Sequence, residues 1–283
     1  MSKGFLLAFA AAIAWAVAII ITRILLREGG NVYNLSFWTT LLELPFFLFL
    51  FLKHRHEFIK TPKNHKLILL AMGIISGVGI GLTEYFALKF SPAVNYSFLI
   101  RTVTLFTVVF AYFFLGEKLT KAKVLLVGVI IVGSYFLTTN GQHLAFSKGD
   151  FFTLLEAMLL AIGNNVLGKA ATQRMSSNLS ASAAFLIAVL PLFVIAAINN
   201  GIYVPDNLLL IILLAITFLI LAMLRFYAYR YLSASAVTMV YSFTPVFVSI
   251  MAIFLLGESL SVLQFVGGFL IVAAGALVTK LRI

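Results

Sequence analysis

Apolar residues in this chain neither alternate nor keep to one helical face. They run on in blocks of about 20, separated by short stretches rich in Gly, Pro, Asn and Lys. A helix rises about 1.5 Å per residue and the hydrocarbon core of a bilayer is about 30 Å thick, so a block of roughly 20 is the length that crosses it. Ten blocks qualify: Gly4 to Leu26, Asn34 to Leu52, Leu67 to Leu88, Ala93 to Leu115, Ala122 to Thr138, Asp150 to Ala171, Leu179 to Ile198, Asn207 to Tyr229, Ala234 to Leu256 and Val262 to Thr279. Several connections are too short for anything but antiparallel neighbours. The first block follows a lone Lys3 and outruns a signal-peptide core, so it reads as a retained span.

Composition agrees with the pattern. A chain that is 63% hydrophobic and 10% charged, with a mean hydropathy of +1.11, lies outside the range of soluble domains. The expected fold class is an all-α integral membrane protein. The absence of cysteine excludes thiol catalysis and disulfide frameworks. The formal charge of +11 is informative only by position. With the amino terminus in the cytoplasm, 14 Lys and Arg flank the cytoplasmic ends of the spans, five of them in the 53–66 stretch KHRHEFIKTPKNHK, against four (Arg23, Arg27, Lys89, Lys148) on the other side. The excess of positive charge inside predicts both termini in the cytoplasm, and no nucleic-acid partner.

Two phrases recur, FFLGEKLT from Phe113 and FLLGESLS from Phe254, 141 positions apart. The same offset aligns YFALKFSPA from Tyr85 with FYAYRYLSA from Phe226. An offset of 146 pairs Arg23 with Lys169 and Pro45 with Pro191. Residues 1–141 and 149–283 therefore read as two five-helix repeats. An odd number of spans makes the second enter the membrane from the opposite face, an inverted repeat of the kind that supports alternating access. Each Leu-Gly-Glu phrase reads as a corner between helices, with Thr120 or Ser261 capping the next helix and Glu117 or Glu258 near its positive end.

The five-plus-five repeat, the Ala-Trp of the first span, the aromatic-rich ends of spans 3 and 8 and the Leu-Gly-Glu corners resemble the drug/metabolite transporter superfamily, EamA type. The likeness covers nearly the whole chain. In the first copy Thr104 stands where SFTPVF of the second has Pro245, which predicts a smaller bend there. The resemblance implies a secondary transporter in the cytoplasmic membrane of a prokaryote, a peripheral layer of spans 5 and 10 that can form a homodimer, and no cofactor. It leaves the substrate open among amino acids, amines, choline-like cations, nucleobases, sugar phosphates and nucleotide sugars.

Charges inside spans are costly, so each is a candidate for function. Glu43, Glu84, Arg101 and Glu156 all fall roughly 7 to 13 Å below the outer boundary. Spans 3 and 4 form a hairpin, in which Glu84 and Arg101 can meet as a salt bridge. Glu43 and Glu156 lack a basic partner in their own spans, and either can carry a proton or neutralise an ammonium; Glu43, two residues before Pro45, is the coupling candidate. In the repeat Glu84 corresponds to Arg225, Arg101 to Ser242, Glu43 to Val189 and Glu156 to Ala10. Arg225, near the inner end of its span, reads as snorkelling to lipid phosphate. Of Asn164 and Asn165, one faces the pathway. Trp15, Tyr85, Tyr96, Tyr227 and Tyr241 can form an aromatic pocket. Gly73, Gly77 and Gly81 make a close-packing stripe, and Gly268 and Gly275 share a face of the last span.

Three acids against one base at the shared depth favour an amine over a phosphate. The reading is a secondary transporter of a small metabolite, an amino acid or related amine, working outward by alternating access, with a proton or counter-substrate as coupling partner. Alternatives are import of a choline-like cation, a sugar-phosphate or nucleotide-sugar carrier, and a lipid flippase or membrane scaffold. No nucleotide loop or enzyme constellation is present in the sequence, so neither direct ATP hydrolysis nor enzyme activity is expected.

Overall fold

The computed structural model describes residues 3–139, 147–257 and 261–280, and every regular element among them is a helix. In chain order the long helices are α1 (Lys3–Arg27), α2 (Val32–Lys53), α3 (Lys63–Phe90), α4 (Ala93–Leu115), α5 (Lys121–Thr139), α6 (Lys148–Thr172), α7 (Ser177–Ile198), α8 (Leu208–Ala228), α9 (Ala234–Leu255) and α10 (Val262–Lys280). Eight of them, α1 to α4 and α6 to α9, are long and apolar enough to cross a membrane. Their lipid-length apolar sequence forms helix because only internal hydrogen bonds can satisfy a backbone without water. Large apolar side chains such as Phe113, Leu209, Phe254 and Phe269 point outward, as a lipid-facing surface requires.

Polar residues punctuate the helices where the sequence places them. Asn31 accepts from the backbone N–H of Tyr33 and Asn34 at the start of α2, and Ser147 and Asp150 cap one another at the start of α6. At the first Leu-Gly-Glu corner the glycine turn and the hydroxyl cap follow the expectation. Gly116 follows α4 with φ 67° and Gly257 follows α9 with φ 66°, the left-handed turn that stops a helix and that only glycine adopts cheaply. Thr120 and Ser261 accept from the N–H of Lys123 and Gln264, both at 3.2 Å, and cap α5 and α10. Glu258 lies outside the described residues.

Glu117 departs from the expectation. Its carboxylate reaches across to the other half of the chain, where it accepts from Ala234 N–H at 2.8 Å and from the Ser235 hydroxyl in the first turn of α9. Lys123 of α5 pairs with it at 3.5 Å. Glu117→Ala is expected to lower stability by about 1–3 kcal/mol, seen as a lower Tm of the purified protein in detergent, because charged acceptors at a helix start are lost.

Helix α1 packs antiparallel on α8: Gly4 lies against Tyr231 and Leu232 beyond the end of α8, while Glu28, past the end of α1, accepts from Asn207 at the start of α8. Helices α2 and α7, α3 and α6, and α5 and α10 form the other close pairs. Two glycines of the α3 stripe, Gly73 and Gly77, close on α7, whereas Gly81 meets nothing within 4 Å. A Cβ on Gly73 would meet Ile187 at 2.6 Å, and one on Gly77 would meet Ala188 Cβ at 2.1 Å. In the α5–α10 pair the tight glycine is Gly133, whose Cβ would lie 2.8 Å from the Gly267 carbonyl.

Regular helix gives way at several points. Wider π-turns occupy Gly73–Ile80 of α3, Ala161–Leu167 of α6 and Ala252–Leu256 of α9. Helix α9 tightens to 3₁₀ at Tyr241–Phe243, and α4 is interrupted at residues 100–101 by bonds of the same short type, Val103 N–H to Ile100 and Thr104 N–H to Arg101. The absence of proline in the first copy therefore does not spare α4 its break. Residues 100 and 101 correspond to 241 and 242 under the 141 offset.

Candidate functional site

A cavity of about 180 Å³ lies between α1, α2 and α3 on one side and α6, α7 and α8 on the other. Its polar wall is built from Glu43 and Thr39 of α2, Ser76 and Glu84 of α3, Glu156 and Asn164 of α6, and Arg225 of α8. Trp15, Tyr85, Phe185 and Phe218 supply aromatic surface. The carboxylates expected at one depth thus converge on one space.

Each charge has a definite setting. Glu84 accepts from the Trp15 indole N–H at 3.4 Å and feels the positive charge of Arg225. Glu156 is wholly inaccessible; Oε1 accepts from the Tyr96 hydroxyl at 2.7 Å, while Oε2 has no partner. The charges of Glu84, Arg101 and Arg225 all act on it. Glu43 is buried at the cavity wall, beside the Thr39 and Tyr85 hydroxyls, which are hydrogen-bonded to one another at 3.0 Å.

Arg101 and Glu84 do not form the ion pair that the α3–α4 hairpin predicts. Both turn to Trp15 instead: Glu84 takes its N–H, and the Arg101 guanidinium stacks on its ring, 4.7 Å from the centre. The cause lies in α9. Pro245 has no N–H to give the carbonyl of Tyr241 four residues earlier, and Arg101 Nη1 fills that place at 2.6 Å. Arg101 is fully buried and does not line the cavity; its Nε and Nη2 lack partners.

The aromatic expectation divides. Trp15 and Tyr85 line the cavity. Tyr96 stands behind it holding Glu156, and Tyr241 packs edge-on to Trp15, with ring centres 5.7 Å apart. Tyr227 is elsewhere, donating to Asn178 at 2.8 Å, because its position on α8 turns it from the cavity toward α7. The adjacent asparagines face different ways, as one helical step of about 100° demands. Asn164 lines the cavity, whereas Asn165 ties α6 to its neighbours, donating to Thr107 at 2.8 Å and accepting from Tyr229 at 2.6 Å.

Arg225 corrects the sequence reading most. It is buried, it lines the cavity, and its guanidinium lies 6.0 Å from the centre of the Tyr241 ring, so it does not snorkel to lipid. A signal for it was present. Arg225 aligns with Glu84 under the 141 offset, so a charge already singled out on α3 pointed to a second one on α8.

Comparison with known proteins agrees with this architecture. The sequence matches the EamA-like transporter family over residues 2–139 and again over 147–280, and the chain belongs to that family. It is thus a membrane transporter by family. Over 98% of its own length and 98% of the relative's, it is 24% identical to a protein of Archaeoglobus fulgidus named as an uncharacterized transporter. A solved chain described as a crystal structure of a protein shares the fold, with a TM-score of 0.75 over 99% of this chain and 98% of that one at 17% identity.

Proposed function

We propose that the protein is a secondary active transporter that moves an amino acid or related amine outward by alternating access between two inverted five-helix halves, residues 1–141 and 149–283. The observation that carries this is the cavity between α1–α3 and α6–α8, whose lining includes Glu43, Glu84 and Arg225. Carboxylates suit an ammonium and a guanidinium suits a carboxylate, so the two ends of an amino acid each have a partner in the lining. A phosphate or sugar phosphate would meet an excess of negative charge. A choline-like cation would find aromatic surface at Tyr85, Phe185 and Phe218, but would bring no anionic partner for Arg225.

In this reading α5 and α10 also cross the membrane, giving ten spans with both termini in the cytoplasm. Two cations support the inversion. Arg23, near the end of α1, donates to the carbonyls of Leu88 and Lys89 in the last turn of α3. Lys169, its counterpart on α6, donates to the carbonyls of Tyr229, at the end of α8, and Leu232. Leu88 and Tyr229 are 141 positions apart, so the two clamps are the same device. Because α1 and α8 are antiparallel, they sit at opposite ends of the bundle.

The test is a thermal-shift screen of the purified protein against amino acids, amines, nucleobases and sugar phosphates, since a ligand of the native state raises its Tm. Stabilisation by phosphates alone would overturn the reading. Glu43→Gln is expected to fold and to lose tenfold or more in transport of the stabilising compound, equivalent to about 1.4 kcal/mol or more; transport at the parental rate in liposomes removes Glu43 from the site.

A further inference from the structure

We propose that the 53–66 stretch is a binding surface for anionic phospholipid headgroups, and that bound headgroups hold closed a bridge between the two halves of the chain, Glu57 to Ser176. Only the cytoplasmic placement of this stretch is taken from the transporter reading above; the substrate plays no part. Five cations, Lys53, Arg55, Lys60, Lys63 and Lys66, fall within 14 residues that contain a single acid, Glu57. Lys53, Arg55, Lys60 and Lys63 are exposed, and among the described residues none of the five is in an ion pair. Unpaired positive charge at this density, at the ends of α2 and α3, is what a negatively charged leaflet attracts.

The short helix Arg55–Lys60 between α2 and α3 has two faces. Arg55, His56, Ile59 and Lys60 are exposed, with Ile59 67% and nearby Leu67 61% accessible, whereas Glu57 and Phe58 are turned toward the protein. Apolar side chains left bare among lysines at the membrane boundary suit the headgroup layer, where cations meet phosphate and aliphatic groups reach the acyl region. Phe58 fixes the roll of the helix. Its ring packs against Phe51 of α2, with centres 5.2 Å apart, and lies under Lys66, 4.8 Å from Nζ.

On the inner face the one carboxylate leaves the patch unneutralised. It crosses to the second half, where Oε1 accepts from the Ser176 N–H at 2.6 Å and Oε2 from the Ser176 hydroxyl at 2.7 Å. Ser176 is the cap of α7, and its hydroxyl in turn accepts from the Leu179 N–H at 3.2 Å. His54, in the turn before the short helix, meets Asn178 of α7 at 3.4 Å. Headgroups on one face and the start of α7 on the other thus act on the same six residues. Lipid that seats the outer face orders the helix where Glu57 reaches Ser176, and by linkage the intact bridge strengthens lipid binding to the same degree.

This reciprocity gives a test of sign. The full chain in dodecyl maltoside is titrated with dioctanoyl phosphatidylglycerol, dioctanoyl phosphatidylcholine or sodium phosphate, and the half-saturating concentration is read from the thermal midpoint. Phosphatidylglycerol is expected to act at a concentration at least roughly tenfold lower than either control, and Lys53→Gln, Arg55→Gln, Lys60→Gln and Lys63→Gln together should remove that preference, since each cation near an anionic surface contributes about fivefold. Glu57→Gln decides the rest. It makes the patch more positive, so a plain electrostatic surface would bind phosphatidylglycerol more tightly, whereas loss of the bridge should weaken binding at least about threefold. Ser176→Ala, which leaves the charge of the patch untouched, should act in the same direction and decides the matter if Glu57→Gln does not fold. Equal stabilisation by both lipids, a preference that survives loss of the four cations, a free phosphate as potent as the lipid, or unchanged or tighter binding by the bridge variants each overturns the proposal.

Discussion

An Arg225→Gln variant is expected to fold and to lose transport of its amino-acid substrate at least roughly 30-fold, with Arg225→Lys intermediate. Removing one member of a buried, complementary charge pair costs about 2–5 kcal/mol, much of it from the partner left behind. Here the loss is double: the substrate carboxylate has no ligand, and Glu84 and Glu156 lose the positive charge of Arg225. Lysine restores the charge but not the planar fork that grips a carboxylate in two places. The measurement is substrate uptake into liposomes, with the thermal midpoint of the unliganded variant as the folding control. Parental transport by Arg225→Gln would return Arg225 to the role of a packing residue.

The largest stability effect is expected at Gly77. A methyl group there would sit 2.1 Å from Ala188 Cβ, far inside van der Waals contact, and the α3–α7 interface would have to open. Gly77→Ala should therefore cost about 3 kcal/mol, the upper part of the range for overpacking, despite alanine's better helix propensity. Ala188→Gly supplies the control. With that Cβ removed, the nearest remaining atom of residue 188 is its Cα, 3.5 Å away, an ordinary contact. The double variant should recover most of the lost thermal midpoint. Gly81→Ala, which meets nothing within 4 Å, should leave it within about 0.5 kcal/mol of the parent. A Gly77→Ala protein as stable as the parent would mean that the two helices do not touch there.

Much of the site could be read from the sequence because depth in a membrane is nearly a one-dimensional property. Counting residues from the span ends put Glu43, Glu84 and Glu156 at one level, and all three meet at the cavity. The same counting misled for Arg225. Distance from its own span end pointed to lipid, whereas its direction around the helix axis turns it inward. Arg101 failed for a related reason, since its partner is a carbonyl 140 residues away that Pro245 leaves short of a donor.

The sequence by itself determined what depends on composition and local spacing: the lengths of the spans, the glycine turns and hydroxyl caps at the Leu-Gly-Glu corners, and the repeat that pairs Glu84 with Arg225. Tertiary structure decided what depends on side-chain direction and on contacts between distant halves. Those are the cavity with Arg225 in its wall, Trp15 held between Glu84 and Arg101, and Glu117 bound to the start of α9. Helical periodicity fixes which residues share a face, but only packing of one half on the other fixes what that face meets.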